Sequence, residues 1–205
     1  MEKLILVTND DGVSAKGIHA LVEVASAFGR VVVVAPDSPQ SGMGHAITIN
    51  HPLRLNETDL FGKIEAYSCT GTPVDSVKLG IYEVLNCKPD LVLSGINHGE
   101  NSSTNVLYSG TMSAAIEGAM EGISSIGFSL ADFDPNADFS ASRYFASRLI
   151  EKALKLDFPK GVCLNVPYKG FYFMVITFRI HCCLMVPVPT VLPLYQRIQE
   201  MACSS

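Results

Sequence analysis

Val31 to Ala35 is a run of four valines and an alanine with no polar residue, closed by Pro36-Asp37-Ser38-Pro39. A strand with one wet face alternates apolar and polar residues, so this run predicts a strand buried on both faces, as in a parallel sheet covered by helices on either side. The rest of the chain has the alternation that such a sheet requires. Lys3 to Thr8 is a short apolar run emptying into Asn9-Asp10-Asp11-Gly12, and Ile18, Leu21, Val22, Ala25 and Phe28 then recur at helical spacing. Ala46–Asn50 and Ile64–Ser68 are predicted as shorter strands. Thr70-Gly71-Thr72-Pro73 opens a helix to about Leu85, with Thr72 as N-cap, Pro73 at the first helical position and Asp75 completing a capping box. Asp90 to Ser94 is a further buried strand, followed by a polar loop from Gly95 to Gly110 and a small-residue helix from about Met112 to Glu121. A strand at Ile126–Ser129, a helix from Ala141 to about Leu156 and a strand at Val162–Val166 continue the series. The order predicts an α/β fold with a mostly parallel sheet and helices on both faces.

With 205 residues, 48% apolar and 17% charged, the chain has ample material for a folded core. Fifteen Lys and Arg against twenty Asp and Glu give a net charge of −5, which argues against a nucleic-acid polymer as partner but not against a single nucleotide. Only four apolar residues separate Met1-Glu2-Lys3 from Thr8, too few for a secretory signal, so a cytoplasmic location is expected. The six cysteines, at 69, 87, 163, 182, 183 and 203, form no C-x-x-C pair and read as reduced thiols. Phe171 to Leu194 is apolar but interrupted by Arg179, His181 and prolines at 187, 189 and 193, so no membrane span is expected. From Phe171 to Ser205 only 3 of 35 residues are charged, against 32 of 170 before it. Residues 1–169 therefore read as one domain and 170–205 as an atypical or truncated tail.

In an open parallel sheet, ligands bind outside the carboxyl ends of the strands. Here those ends are rich in oxygen: Asn9-Asp10-Asp11 after the first strand, Ser38 and Ser41 after the second, then Thr70 and Thr72, then Ser94, Asn97 and Asn101. Adjacent carboxylates in one crevice repel each other, and a hard divalent cation relieves them. Carboxylate, hydroxyl and amide oxygens suit Mg²⁺ or Mn²⁺, and the histidines lack the spacing that zinc or copper would use. The plainer alternative for Asp10-Asp11-Gly12 is a solvated turn. Thr70-Gly71-Thr72 and Ser109-Gly110-Thr111 each precede a predicted helix, where unpaired N–H groups and the helix dipole favour phosphate; either could equally be only an N-cap. His45 and His98 fall in the crevice loops, as solvated residues or as groups polarising a leaving group, whereas His19, His51 and His181 read as structural. No G-x-S-x-G surrounds Ser109, which argues against a nucleophilic serine, and no G-x-G-x-x-G follows the first strand, which argues against dinucleotide chemistry.

Val7-Thr-Asn-Asp-Asp-Gly12, Ala35-Pro-Asp37 with Ser41 and Gly44-His45, Thr70-Gly-Thr-Pro73, Ser94-Gly-Ile-Asn97-His-Gly-Glu-Asn101 and Tyr108-Ser-Gly-Thr111 strongly resemble, in this order, the SurE family of survival-protein-E 5′/3′-nucleotidases. The resemblance implies a Rossmann-like three-layer α/β/α sandwich. It also implies a phosphomonoesterase acting on nucleoside 5′- and 3′-monophosphates, one Mg²⁺ or Mn²⁺ per subunit, and a homodimer or tetramer. Carried across motif by motif, the metal ligands become Asp10, Asp11, Ser41 and Asn97, and the phosphate-binding residues Asn101, Ser109, Gly110 and Thr111. Asp10 or Asp11 would orient or deprotonate the water that attacks phosphorus in line, with His45 close behind. Family members usually lengthen the Leu164-Asn165-Val166-Pro167 segment and continue into a charged, aromatic portion that finishes the sheet and exchanges arms between subunits. This chain shortens the first and lacks the second, so a nucleotide- and metal-binding module without turnover is the competing reading. A phosphoacceptor receiver domain is disfavoured because Asn97 stands where its third aspartate would.

Overall fold

The computed structural model describes residues 2–99, 101, 103–134, 136–156, 158–168 and 174–177. Among them, β1 (Leu4–Thr8), β2 (Arg30–Pro36), β3 (Leu55–Glu57), β4 (Glu65–Cys69), β5 (Leu91–His98), β6 (Ser125–Leu130), β7 (Val162–Tyr168) and β8 (Met174–Thr177) form one sheet of order β3-β4-β2-β1-β5-β6-β7-β8. All neighbours run parallel except the edge pairs β3–β4 and β7–β8. The chain leaves β1 for β2 on one side and returns to β5 on the other, so the strand order reverses between β1 and β5. There the register sets Thr8 beside Ser94, bringing two carboxyl ends level.

α1 (Lys16–Ala25) and α4 (Ser140–Ala153) cover one face of the sheet; α2 (Pro73–Leu79), the π-helical turn Gly80–Leu85 that continues it, and α3 (Gly110–Met120) cover the other. The valine run shows why two helical layers are needed. Val31 and Val33 pack in one core with Ile18, Leu21 and Ile150, while Val32 and Val34 pack in the other with Val77, Ile81 and Ala114. Each such side chain removed from water contributes roughly 1.5–3 kcal/mol, and one helical layer would leave half of them wet. The result is the expected Rossmann-like three-layer sandwich.

Several boundaries differ from expectation. Ala46–Asn50 is not a strand, because its polar backbone groups are taken by side chains: Thr48 N–H donates to both carboxylate oxygens of Asp75 (3.2 and 3.1 Å), and Ala46 C=O accepts from Thr72 Oγ1 (2.7 Å). Leu55–Glu57 supplies the edge strand instead. The strand beginning at Leu91 runs on past Ser94 to His98, with a register shift between Ser94 and Asn97, so the residues expected in a loop belong to the sheet. The predicted helix to Leu85 is α-helical only as far as Leu79, and the helix expected from Met112 starts at Gly110 with Ser109 as its cap. Beyond the compositional break, Met174–Thr177 adds a strand to β7, while the rest of the expected tail, with His181, Cys182, Cys183 and Cys203, lies outside the described residues. No helix among the described residues is long and apolar enough to cross a membrane.

Candidate active site

β1 delivers its acidic pair through a turn that the side chain of Asn9 closes, Nδ2 donating to Gly12 C=O at 2.8 Å. Gly12 sits at φ +93°, a conformation that side chains disfavour, so the turn needs a glycine there. Asp10 is buried, and its carboxylate accepts from the hydroxyl and the backbone N–H of Thr111 at the start of α3. Asp11 is half-buried and accepts from His98 N–H at the end of β5 (3.2 Å). Burial first, then the charge of Asp11, push the Asp10 carboxyl up to about 6 against the pull of Thr111. Burial likewise raises Asp11, opposed by the His98 N–H.

Two further oxygen-bearing residues, Ser41 and Asn97, stand next in the chain to groups that bond this pair. Gln40 N–H donates to Asp10 C=O (2.7 Å), which docks the loop after β2 beside the acidic turn and places exposed Ser41 one residue away. Asn97, buried on β5, donates through Nδ2 to Asn101 Oδ1 (3.3 Å), leaving its own amide oxygen for an electron-poor partner. Thr8 Oγ1, Asn9 Oδ1, Ser94 Oγ, Asn101 Nδ2 and Asn165 Oδ1 are buried without a hydrogen-bond partner among the described residues. Such an atom costs about 1–3 kcal/mol unless something polar engages it. No three His, Cys, Asp or Glu side chains come together among the described residues, so a cation here would draw on Ser and Asn oxygens as well as the carboxylates. That donor set fits a hard divalent ion.

The two expected phosphate motifs part company. Ser109 caps α3, its Oγ accepting from Met112 N–H (3.1 Å), and Gly110 lies so close to the acidic turn that a Cβ there would stand 2.6 Å from Asp10 Cβ and 2.9 Å from Asp10 Oδ2. Thr70-Gly71-Thr72 is used up by local structure. Thr70 Oγ1 accepts from Arg54 N–H (3.0 Å), the carboxylate of Asp75 takes the Thr72 N–H (2.9 Å), and Thr72 Oγ1 accepts from Asp75 N–H (3.1 Å). Among the described residues, Ser38 bonds its neighbour Asp37 and its loop mate Gln40. The ring of His98 has Nδ1 3.2 Å from Asp132 C=O and lies edge-on to Phe139, while its backbone N–H is the group that bonds Asp11. His19 stacks on Phe61 and His51 is exposed.

Two polar residues escape the sequence reading. Asn165, fully buried on β7, donates through Nδ2 to Asn101 C=O and so holds the phosphate-side asparagine from the neighbouring strands. Glu117 on α3 is 3% exposed and places one carboxylate oxygen 2.8 Å from His45 Nε2 and the other 2.6 Å from Lys78 Nζ. Burial raises this carboxyl, but the bonds from His45 and Lys78 outweigh it and hold Glu117 below its ordinary value. The available signal was one acid inside the small-residue stretch Ser113-Ala-Ala-Ile-Glu-Gly-Ala119, where a lone charge needs partners.

A family model described as "Survival protein SurE" matches residues 5–171. The chain belongs to the SurE family. It is 60% identical over 166 residues to a protein of Cytophaga hutchinsonii and 59% identical over 166 residues to one of Flavobacterium johnsoniae, each named "5′-nucleotidase SurE". Each alignment covers 80% of this chain and 64% of the relative, so the chain spans somewhat less than two thirds of the length of these SurE proteins. Among solved structures it is similar to the SurE protein from Aquifex aeolicus, with a TM-score of 0.72 and 41% identity over 80% of this chain and 66% of that one.

Proposed function

We propose that this SurE chain is a divalent-metal-dependent phosphomonoesterase that hydrolyses nucleoside 5′-monophosphates, and 3′-monophosphates at the same site, to nucleoside and phosphate. The setting of Asp10 carries the reading: a buried carboxyl pushed up to about 6 beside a second acid, at a strand-order reversal and against the first turn of a helix. The name of its relatives supports the substrate class.

In this reading Asp10, Asp11, Ser41 and Asn97 hold one Mg²⁺ or Mn²⁺, and Asn101, Ser109, Gly110 and Thr111 receive the phosphate. A divalent ion so held would supply Lewis acidity toward the phosphoryl oxygens and make water a better nucleophile. Thr111 fixes Asp10, so Asp11, the more open of the pair, is the better placed to orient the attacking water and accept its proton. The amino end of α3 carries no acid in its first turn, and its dipole opposes the charge that builds on the equatorial oxygens. Asn165 keeps Asn101 facing the same space. Cys69, Cys87 and Cys163 are free thiols, which suits the reducing cytoplasm in which the proposal places the protein, as a homodimer or tetramer.

The test is release of inorganic phosphate from a panel of 5′- and 3′-nucleoside monophosphates with Mg²⁺, Mn²⁺ or EDTA, for the wild type and Asp10→Asn. Metal-dependent release that the substitution abolishes is the expected result. Undiminished release in EDTA, or binding of metal and nucleotide with no turnover, would overturn it.

A further inference from the structure

We infer that Glu117 and His45 form a clamp that positions the Ser41 loop over Asp10. They are positioning residues of the site proposed above, and the inference rests on that reading for its bearing on metal binding. After β2 the chain runs through Asp37, Ser38, Pro39, Ser41, Gly42 and Met43 exposed to solvent, so little apolar burial holds this stretch in place. Among the described residues its backbone is tied to the rest of the fold at three points, Asp37 N–H to Cys69 C=O (2.8 Å) where it leaves the sheet, Gln40 N–H to Asp10 C=O (2.7 Å) and Gly44 N–H to Tyr108 C=O (3.3 Å). The next residue, His45, reaches in to Glu117.

The location of Glu117 gives the contact its meaning. It lies seven residues along α3 from Gly110, roughly 10 Å at the helical rise. One rigid helix therefore holds the Asp10 carboxylate at its first turn and the far end of the Ser41 loop two turns later. Lys78 of α2 takes the second oxygen of Glu117 and also reaches Glu121 (3.4 Å), so the carboxylate is braced from both sides. α2 then grips the residues that follow His45, through Thr72 on Ala46 and Asp75 on Thr48. A buried ion pair often adds little net stability over a well-packed apolar pair of the same volume. Its function here is geometric: it fixes the distance between loop and helix.

The experiment compares wild type, His45→Ala and His45→Gln, whose amide can still donate to Glu117, with Asp10→Asn as control. Because His45 lies at the surface end of the contact, its variants retain the fold, which thermal unfolding verifies. Hydrogen exchange in metal-free protein reads the amides of Gln40 and Gly44, and Mn²⁺ titration followed by electron paramagnetic resonance reads the site. His45→Ala is expected to speed exchange at both amides with the β1 and β5 amides unchanged, and to weaken Mn²⁺ binding about tenfold, the lower end of what outer partners of metal ligands contribute. His45→Gln is expected to restore both. Unchanged exchange at Gln40 and Gly44 in His45→Ala overturns the clamp. Faster exchange without weaker Mn²⁺ binding, where Asp10→Asn has lost the ion, overturns its link to the site. If wild type and Asp10→Asn bind Mn²⁺ alike, the metal reading falls, and the exchange data still decide the clamp.

Discussion

Thr70-Gly71-Thr72 stands before α2 and Ser109-Gly110-Thr111 before α3, each a hydroxyl residue, a glycine and a threonine at the start of a helix on the same face of the sheet. They differ in what meets the helix N–H groups. At α2 the acid three residues in, Asp75, folds back onto Thr72 and the neighbouring Thr48, so the helix carries its own anion. At α3 the corresponding position is Met112, whose N–H is met by the Ser109 hydroxyl, and the nearby carboxylate comes from another strand. A glycine-bearing helix start becomes a candidate ligand site only when its own first turn does not supply the anion. That rule can be read from the residue at the third helical position.

Replacing each glycine by alanine gives the largest expected effect. A Cβ at 110 would stand 2.6 Å from Asp10 Cβ, with strand β1 fixing one partner and helix α3 the other. Gly110→Ala should therefore displace Asp10 and cost about a hundredfold or more in kcat/KM, the scale of a 1 Å misplacement. Gly71→Ala meets Asp75 and Leu53 at 2.7 Å, so it should lower the unfolding midpoint while costing much less activity. Phosphate-release kinetics and urea unfolding on both variants measure the contrast, and equal losses of activity would break it.

Removing the internal anion sharpens the same comparison. Asp75→Ala strips the partner from Thr72 N–H and Thr48 N–H, so a stability loss of about 1–2 kcal/mol by urea unfolding is expected, the range for a lost cap. Ser109→Ala at α3 also removes a cap, but there the loss should extend to KM for the nucleotide. An equal KM increase in Asp75→Ala would assign α2 to the ligand after all.

The sheet was legible because burial on both faces leaves its mark within a single strand, as in Val31 to Ala35. β3 was not, since Leu55-Asn56-Glu57 is a short polar edge held from one side only. Ala46–Asn50 looked like a strand because its real partners, Thr72 and Asp75, are remote in sequence. In the candidate site, Asp10 and Asp11 stand directly after β1 and Ser109 to Thr111 directly at the start of α3, where position alone suggests a ligand, whereas Asn97 lies within β5 and not in the loop expected after it. Position could not reveal Asn165, because its contact with Asn101 spans 64 residues and two sheet neighbours. Glu117 stayed hidden in a helix buried nearly all round, where no polar face marks the exception.

The smallest expected effect concerns Glu117, which ties α2 to α3 through Lys78. Its folded-state carboxyl is held below the ordinary value of 4.5 by His45 and Lys78 despite burial. A depressed acid contributes stability that is present above the unfolded pKa and is lost as pH falls through the folded one. Asp10 works in the opposite sense in metal-free protein: raised to about 6, it is destabilising above that pH, and the penalty is relieved as pH falls toward 3.8. The total acid limb therefore mixes two signs, and the difference between wild type and Glu117→Gln isolates one. Urea unfolding of both proteins from pH 7 to pH 3 should show a constant wild-type advantage above about pH 5 that shrinks as the pH drops below 4.5. Two groups face Glu117: Lys78 remains charged throughout, its own pKa raised by bonding to Glu117, and His45 is removed from the comparison by repeating it in the His45→Gln background, where a change that persists is assigned to the carboxylate. A difference that stays flat to pH 3 would mean that Glu117 contributes by shape alone, and the link between the two helix starts would then be packing rather than charge.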